Sequence, residues 1–225
     1  MCGRFSITGD LDFYAEYFGV DDVITGPLGQ NWNVAPTDPV YVINERDGKR
    51  LLDSMRWGLI PYYAGDDKKI HINARLESVA TSGAFRDSFS RRRCLIPADG
   101  FYEWEPASEG RAPHWVYRAD GFPMAFAGIW STRKVGEEWD RSCSIITTGA
   151  DGVIRSIHDR MPVSLVDGSW DAWLDRDLRD SEEALGLVQA IDADLIMEHQ
   201  VSKQVNSVQN NGPELREKVE PETLF

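Results

Sequence analysis

The chemistry this chain can offer begins with its first five residues, Met1-Cys2-Gly3-Arg4-Phe5. The cysteine side chain is small, so removal of the preceding methionine is expected. The chain would then start with an α-amine and a thiol on adjacent carbons. Such groups titrate near about 7.7–8.0 and about 8.5, which leaves both partly nucleophilic at neutral pH. Gly3 lets the backbone turn at once, and Arg4 brings a rigid fork of donors for a carboxylate or phosphate. A plainer reading, a buried or merely tolerated cysteine in a loose terminus, stands beside this one.

Three polar residues further along sit in unusual company. Asn73 lies in Ile72-Asn73-Ala74-Arg75, between residues of core character. Glu103 lies among aromatics in Phe101-Tyr102-Glu103-Trp104, a setting that raises a carboxylate pKa and lets it exchange protons near neutrality. His158 lies in Ile157-His158-Asp159-Arg160-Met161-Pro162, a charged segment after an apolar one. Structural roles remain open for each: a turn cap for Asn73, the partner of a buried arginine for Glu103, a satisfied structural histidine for His158.

The three cysteines, Cys2, Cys94 and Cys143, show no metal spacing and cannot all pair within the chain. Cys94 and Cys143 fall in apolar, strand-like runs and read as inert core thiols, which leaves Cys2 as the candidate reactive one. No glycine-rich phosphate loop is present, and His71, His114, His158 and His199 are scattered. Neither a nucleotide cofactor nor a histidine-based metal site is expected.

A net charge of −13 argues against a general nucleic-acid binder, because affinity for phosphate backbones comes from Lys and Arg. The charge is uneven, however. Lys68, Lys69, Arg75, Arg86, Arg91, Arg92 and Arg93 face only Glu77 and Asp87 in the same stretch, so a local positive groove on an acidic body is one expectation. A solvated helix end at Arg91–Arg93 is the other. The 37 acidic residues stand against six Lys and 18 Arg, a lysine-poor balance suited to a salt-rich cytoplasm. No run approaches the ~20 apolar residues that cross a bilayer, and no basic-then-apolar segment opens the chain. A cytoplasmic protein with no membrane partner is expected.

Length and an apolar fraction of 42% fit a single domain with a substantial core. A helix is expected over residues 11–18, capped by Thr8 or Asp10 and stopped at Gly19. Strands are expected at 39–45 and 50–59 around a hairpin turn at Arg46-Asp47-Gly48-Lys49, and at 114–118, 124–130, 142–148 and 196–205. Residues 61–69, 106–113 and 132–140 read as loops, and 77–89 as a helix broken near Gly83. Short helices are expected at 151–157, 170–175 and 182–191. No β-α-β rhythm repeats, so the fold class is α+β: one mixed domain with a largely antiparallel, barrel-like β core and peripheral helices. Residues 2–215 would form it, with 216–225 as a loose tail.

Several blocks resemble one known family. They are Met1–Phe5, Asn33-Val34-Ala35-Pro36-Thr37, Arg56-Trp57-Gly58-Leu59, Asn73-Ala74-Arg75-Leu76-Glu77, the run from Arg93 to Trp104, His158-Asp159-Arg160-Met161-Pro162 and the run from Val205 to Leu215. In this order they are similar to the signature blocks of the SOS-response-associated peptidase (SRAP) domain family. Members recognise abasic sites in single-stranded DNA and cross-link to them through an N-terminal cysteine. The resemblance implies Cys2 as nucleophile, with Asn73, Glu103 and His158 around it. It further implies Arg4 and Arg75 as phosphate-binding residues and Asn33, Pro36 and Trp57 as parts of a DNA-contacting surface. Trp57 or Trp104 would stack on a base beside the lesion. No cofactor or metal is implied. The expected partner is single-stranded DNA containing abasic sites, with replication-fork proteins as further candidates. A cytoplasmic monomer, nucleoid-associated when on DNA, is expected.

The chemistry stands on its own terms. An open abasic deoxyribose is an aldehyde; an amine gives an imine, and the neighbouring thiol can close a thiazolidine ring on it. Two rivals remain: an N-terminal cysteine peptidase or amidohydrolase that includes self-removal of Met1, and a binding module that shields single strands without reacting.

Overall fold

The computed structural model describes residues 2–65, 69–108 and 110–219. Thirteen strands occur among them: β1 (Arg4–Ile7), β2 (Asp22–Val23), β3 (Asn31–Val34), β4 (Pro39–Arg46), β5 (Lys49–Trp57), β6 (Asn73–Arg75), β7 (Arg93–Ala98), β8 (Gly100–Ala107), β9 (Gly110–Arg118), β10 (Met124–Val135), β11 (Glu138–Gly149), β12 (Arg160–Pro162) and β13 (Ile196–Gln200). Short helices lie around them: α1 (Leu11–Tyr17), α2 (Leu76–Val79), α3 (Arg86–Arg91), α4 (Trp170–Leu174) and α5 (Ser181–Gly186). The fold is α+β, with a barrel-like core and peripheral helices.

One sheet runs β12-β11-β10-β7-β4-β5-β2, with β6 beside β11. It closes on itself because β5 also pairs in parallel with β11, setting Arg56 opposite Ser142 and Trp57 opposite Cys143. Closure removes sheet edges that would otherwise be open to foreign strands. A second sheet, β13-β9-β8-β1-β3, packs on it through Phe5 against Trp57 (ring centroids 4.8 Å) and Phe101 against Phe126 (6.1 Å). Asp99 is the single residue between β7 and β8, and there the chain passes from one sheet to the other.

Local signals behave as expected where burial supports them. The amide of Phe13 donates to Asp10 Oδ1 (2.8 Å), so Asp10 caps α1, whereas Thr8 is drawn to Asp99 instead (2.7 Å). Asp47 and Gly48 both have positive φ (53° and 73°), the geometry of a tight hairpin between β4 and β5. Cys94 and Cys143 are fully buried. The broken helix resolves into α2 and α3.

Three expectations are corrected. Residues 106–113 and 132–140 are not loops but the ends of the β8–β9 and β10–β11 hairpins. Charged and polar residues dominate 132–140, and Pro, Ala and Gly make up most of 106–113, so neither stretch carries a strand-like apolar pattern although the strands pair. The tail is also not loose from residue 216 onward. Arg216 donates to Asp99 (3.2 Å), Val219 N donates to Gln200 O (3.0 Å), and residues 220–225 lie outside the described residues.

Gly100 is where β8 presses hardest on its neighbour. A Cβ there would lie 2.3 Å from the backbone oxygen of Val116 and 2.7 Å from the Trp115 ring. Gly100→Ala is therefore expected to cost about 1–3 kcal/mol, as overpacking does. A urea titration checks this; an unchanged midpoint would show that β8 and β9 have room to part.

Candidate active site

Strand β1 lies between β3 and β8, with Arg4 opposite Tyr102 and Phe5 opposite both Phe101 and Val34. A first strand held on both sides carries the residue before it inward. Cys2 is accordingly fully buried and part of the main core. Its thiol donates weakly to Arg4 O (3.8 Å). Burial, and then the nearby Glu103 carboxylate, push the thiol well above its ordinary range. In the chain that retains Met1 the sulfur is thus held neutral.

Strand β11 delivers two of the other residues. Its Ile145–Thr147 stretch pairs in parallel with β6, and its Thr147–Gly149 stretch pairs with β12. Asn73 opens β6, and its Nδ2 donates to the carbonyl oxygen of Cys2 (2.8 Å). His158 stands two residues before β12, at the end of a one-turn 3-10 helix, with its amide bonded to Ile154 O (2.9 Å). Imidazole Nδ1 meets the amide of Arg160 (3.0 Å) and the Asp159 carboxylate (2.8 Å). The first contact suits a bare nitrogen and the second a protonated one, so each state of the ring has a partner.

Glu103 lies on β8, one residue beyond the Arg4–Tyr102 pair, and is 2% exposed. Burial raises its pKa; the positive charges of the amino terminus and His158 oppose the shift. A carboxyl group of that kind can hold a proton near neutrality and release it when a cation forms beside it. Cys2, Asn73, Glu103 and His158 therefore converge, although they come from four separate segments. Among the described residues no group of three or more His, Cys, Asp or Glu side chains is disposed to hold a metal.

A family model described as SOS response associated peptidase (SRAP) matches residues 1–208. The chain belongs to the SRAP family. It is 37% identical to the abasic site processing protein YoqW of Bacillus subtilis, over 96% of this chain and 99% of that one. It is 33% identical to the abasic site processing protein YedK of Escherichia coli, covering 96% and 98% respectively. A crystal structure from Bacteroides thetaiotaomicron shares the fold with a TM-score of 0.85, at 22% identity over 97% of this chain and 100% of that one.

Other residues expected at an SRAP site are distributed less simply. Arg4 donates from Nη1 to Asn33 Oδ1 (2.7 Å) and Val205 O (3.0 Å), and from Nη2 to Asn206 O (3.4 Å). Arg75 is exposed at the end of β6, directly before α2. Pro36 is half-buried in a turn closed by Asp38 N on Ala35 O (3.1 Å), and Trp104 is half-buried with Nε1 on Asn206 Oδ1 (2.7 Å).

Two of the expected DNA-contacting residues are corrected. Trp57 is fully buried against Phe5, with Nε1 donating to Ile72 O (2.9 Å), so it has no face to offer a base. Asn33 is 3% exposed, and its Nδ2 faces the carbonyls of Val205 (3.3 Å), Ser207 (2.9 Å) and Asn210 (3.0 Å). Its Oδ1 holds Arg4.

The expected basic groove is also thinner than the sequence suggests. Arg93 is buried and bonded to the carbonyls of Trp173 and Phe89, while Arg91 and Arg92 both pair with Asp87. Lys68 lies outside the described residues. Sequence reasoning missed Tyr62 and Tyr63, which are 56% and 61% exposed. They lie on the loop pinned by the Leu59–His71 bridge, shortly before Asn73. Two adjacent aromatics in a polar loop were the available signal, since buried aromatics do not need such a setting.

The raised pKa of Glu103 has a consequence for stability. Between the ordinary value of 4.5 and the raised one, the folded chain holds a proton that the unfolded chain has released. Stability therefore falls as pH rises through that window. Glu103→Gln is expected to flatten this part of the melting-temperature profile; an identical slope in the variant would place the proton elsewhere.

Proposed function

We propose that this chain recognises abasic sites in single-stranded DNA and captures them covalently through Cys2 once Met1 has been removed. The observation that carries the reading is the hydrogen bond from Asn73 to the Cys2 carbonyl, which fixes the terminal residue beside the buried Glu103. The names of the SRAP relatives, abasic site processing proteins, support the same reading.

The α-amine of Cys2 adds to the aldehyde carbon of the open sugar, forming a C–N bond and a carbinolamine. Protonated Glu103 gives its proton to the hydroxyl, which leaves as water, and a protonated imine remains opposite the Glu103 carboxylate. The thiol then adds to the imine carbon. A C–S bond forms as the C=N electron pair returns to nitrogen, the thiol proton passes to the Glu103 carboxylate and restores its acid form, and the thiazolidine is complete. Aldehyde and aminothiol give ring plus one water, with no change of oxidation state. Ring closure is intramolecular, a gain worth up to ~7–11 kcal/mol of barrier in favourable cases.

His158 acts as general acid in opening the closed sugar, a role suited to a ring with partners in both protonation states. Exposed Arg75 contacts phosphate, and Tyr62, Tyr63 and Trp104 offer rings for base stacking. A single strand is the better substrate because its lesion reaches the site without unstacking a duplex.

A denaturing gel with an abasic single-stranded oligonucleotide tests the proposal. The processed chain should give a stable covalent band that Cys2→Ala abolishes. Cys2→Ser should give only an imine that borohydride traps. Glu103→Gln should slow capture by about 10²–10⁴-fold, the usual contribution of a proton-transfer group, with little change in initial binding. Arg75→Ala should raise the half-saturating concentration roughly tenfold at an unchanged maximal rate. A shift seen only on native gels would favour non-covalent shielding. Peptide turnover without any adduct would favour a peptidase.

A further inference from the structure

Arg4 has five N–H groups, and three of them are spent on acceptors within the protein. Two of those acceptors, the carbonyls of Val205 and Asn206, belong to the segment 205–216. The third, Asn33 Oδ1, belongs to a side chain that the same segment holds by three carbonyls. What remains to Arg4 is its Nε edge with one Nη2 proton, the side-on fork that matches two phosphate oxygens. A long side chain that would otherwise sample many rotamers is thus aimed in one direction.

The segment is itself fastened along its length. Val205 and Leu215 are fully buried in a small cluster with Tyr102, Trp115 and Val201. Between them, Asn211 Oδ1 accepts from the backbone amide of Trp32 (2.8 Å) on β3. At the far end Arg216 donates to Asp99 (3.2 Å) and Thr8 Oγ1 (3.4 Å), and its guanidinium lies 5.4 Å from the centre of the Trp115 ring. Asp99 in turn accepts from Ser6, Thr8 and Tyr14, so the pin reaches β1 and α1.

We propose that segment 205–216 is a strap that orients Arg4 toward the phosphate beside the lesion, with Arg216 and Asn211 as its positioning residues. This rests on the DNA-capture reading. Outside its own end, the strap's described bonds include those to Arg4, Asn33, Trp32 and Trp104, so loosening it should change how DNA is held more than the ring-forming steps.

The experiment is single-turnover capture of an abasic oligonucleotide by the processed full chain, followed against protein concentration at several KCl concentrations. Arg216→Gln and Asn211→Ala should each raise the half-saturating concentration roughly tenfold, the loss expected for one charge-assisted phosphate contact, and keep the maximal rate within about twofold. The slope of log affinity against log salt should fall by about 0.7, the share of one phosphate contact on a single strand. Arg216→Lys, which keeps a cation for Asp99, should recover most of the affinity.

Unchanged affinity and slope in both variants would overturn the strap. So would a fall in maximal rate with an unaltered salt slope. Should Arg216→Gln melt near the assay temperature, the exposed Asn211→Ala decides the matter alone. A wild-type chain that forms no adduct removes the capture reading itself, before any variant is compared.

Discussion

A chain end normally frays, because it has partners on one side at most. Here β1 is an inner strand of its sheet, paired with β8 on one side and β3 on the other. That constraint governs the rest of the site. It draws Cys2 into the core, sets Arg4 facing the strap, and places the first residues alongside Glu103. Asn73 completes the tie by bonding the Cys2 carbonyl, so a residue that would otherwise be the most mobile in the chain has a fixed address.

The arrangement carries a cost that ordinary core packing does not. Glu103 is a carboxyl group with almost no access to water, and the Cys2 thiol shares its surroundings. Both favour their neutral forms, and each ionised form would need a cation nearby. The amino terminus opposes the rise at both groups, and His158 opposes it at Glu103. In a site of this kind protons are more easily passed between neighbours than released to solvent, which is what the proposed addition, dehydration and ring closure would require. The acidic surface is a separate matter: it weakens long-range attraction to DNA, and the proposed covalent product would depend on that attraction less than a reversible complex does.

Much of this was legible in the sequence, and the exceptions have physical causes. Cys2, Asn73, Glu103 and His158 stood out because each broke the pattern of its own segment. The hairpin at Arg46–Lys49 was legible because Asp-Gly fits the left-handed turn positions it occupies. The hairpin ends at 106–113 and 132–140 were not, since neither stretch shows apolar alternation. Trp57 is a different case: it was expected at a DNA-contacting surface through the family resemblance alone, and the approach of Phe5 from the other sheet packs it in the core. Asn33, Arg93 and Arg216 likewise depend on carbonyls or carboxylates more than 75 residues away along the chain, contacts that local composition does not encode.

The account stands on Cys2 acting with a free α-amine, and one comparison addresses that directly. Two preparations of the full chain, one retaining Met1 and one lacking it, are incubated with a single-stranded oligonucleotide carrying one abasic site, and their intact masses are measured under denaturing conditions. The chain that begins at Cys2 should gain the mass of the oligonucleotide less one water and keep it, while the chain that begins at Met1 should form no lasting adduct. A stable adduct on the Met1 chain, or none on the chain that begins at Cys2, would contradict the account.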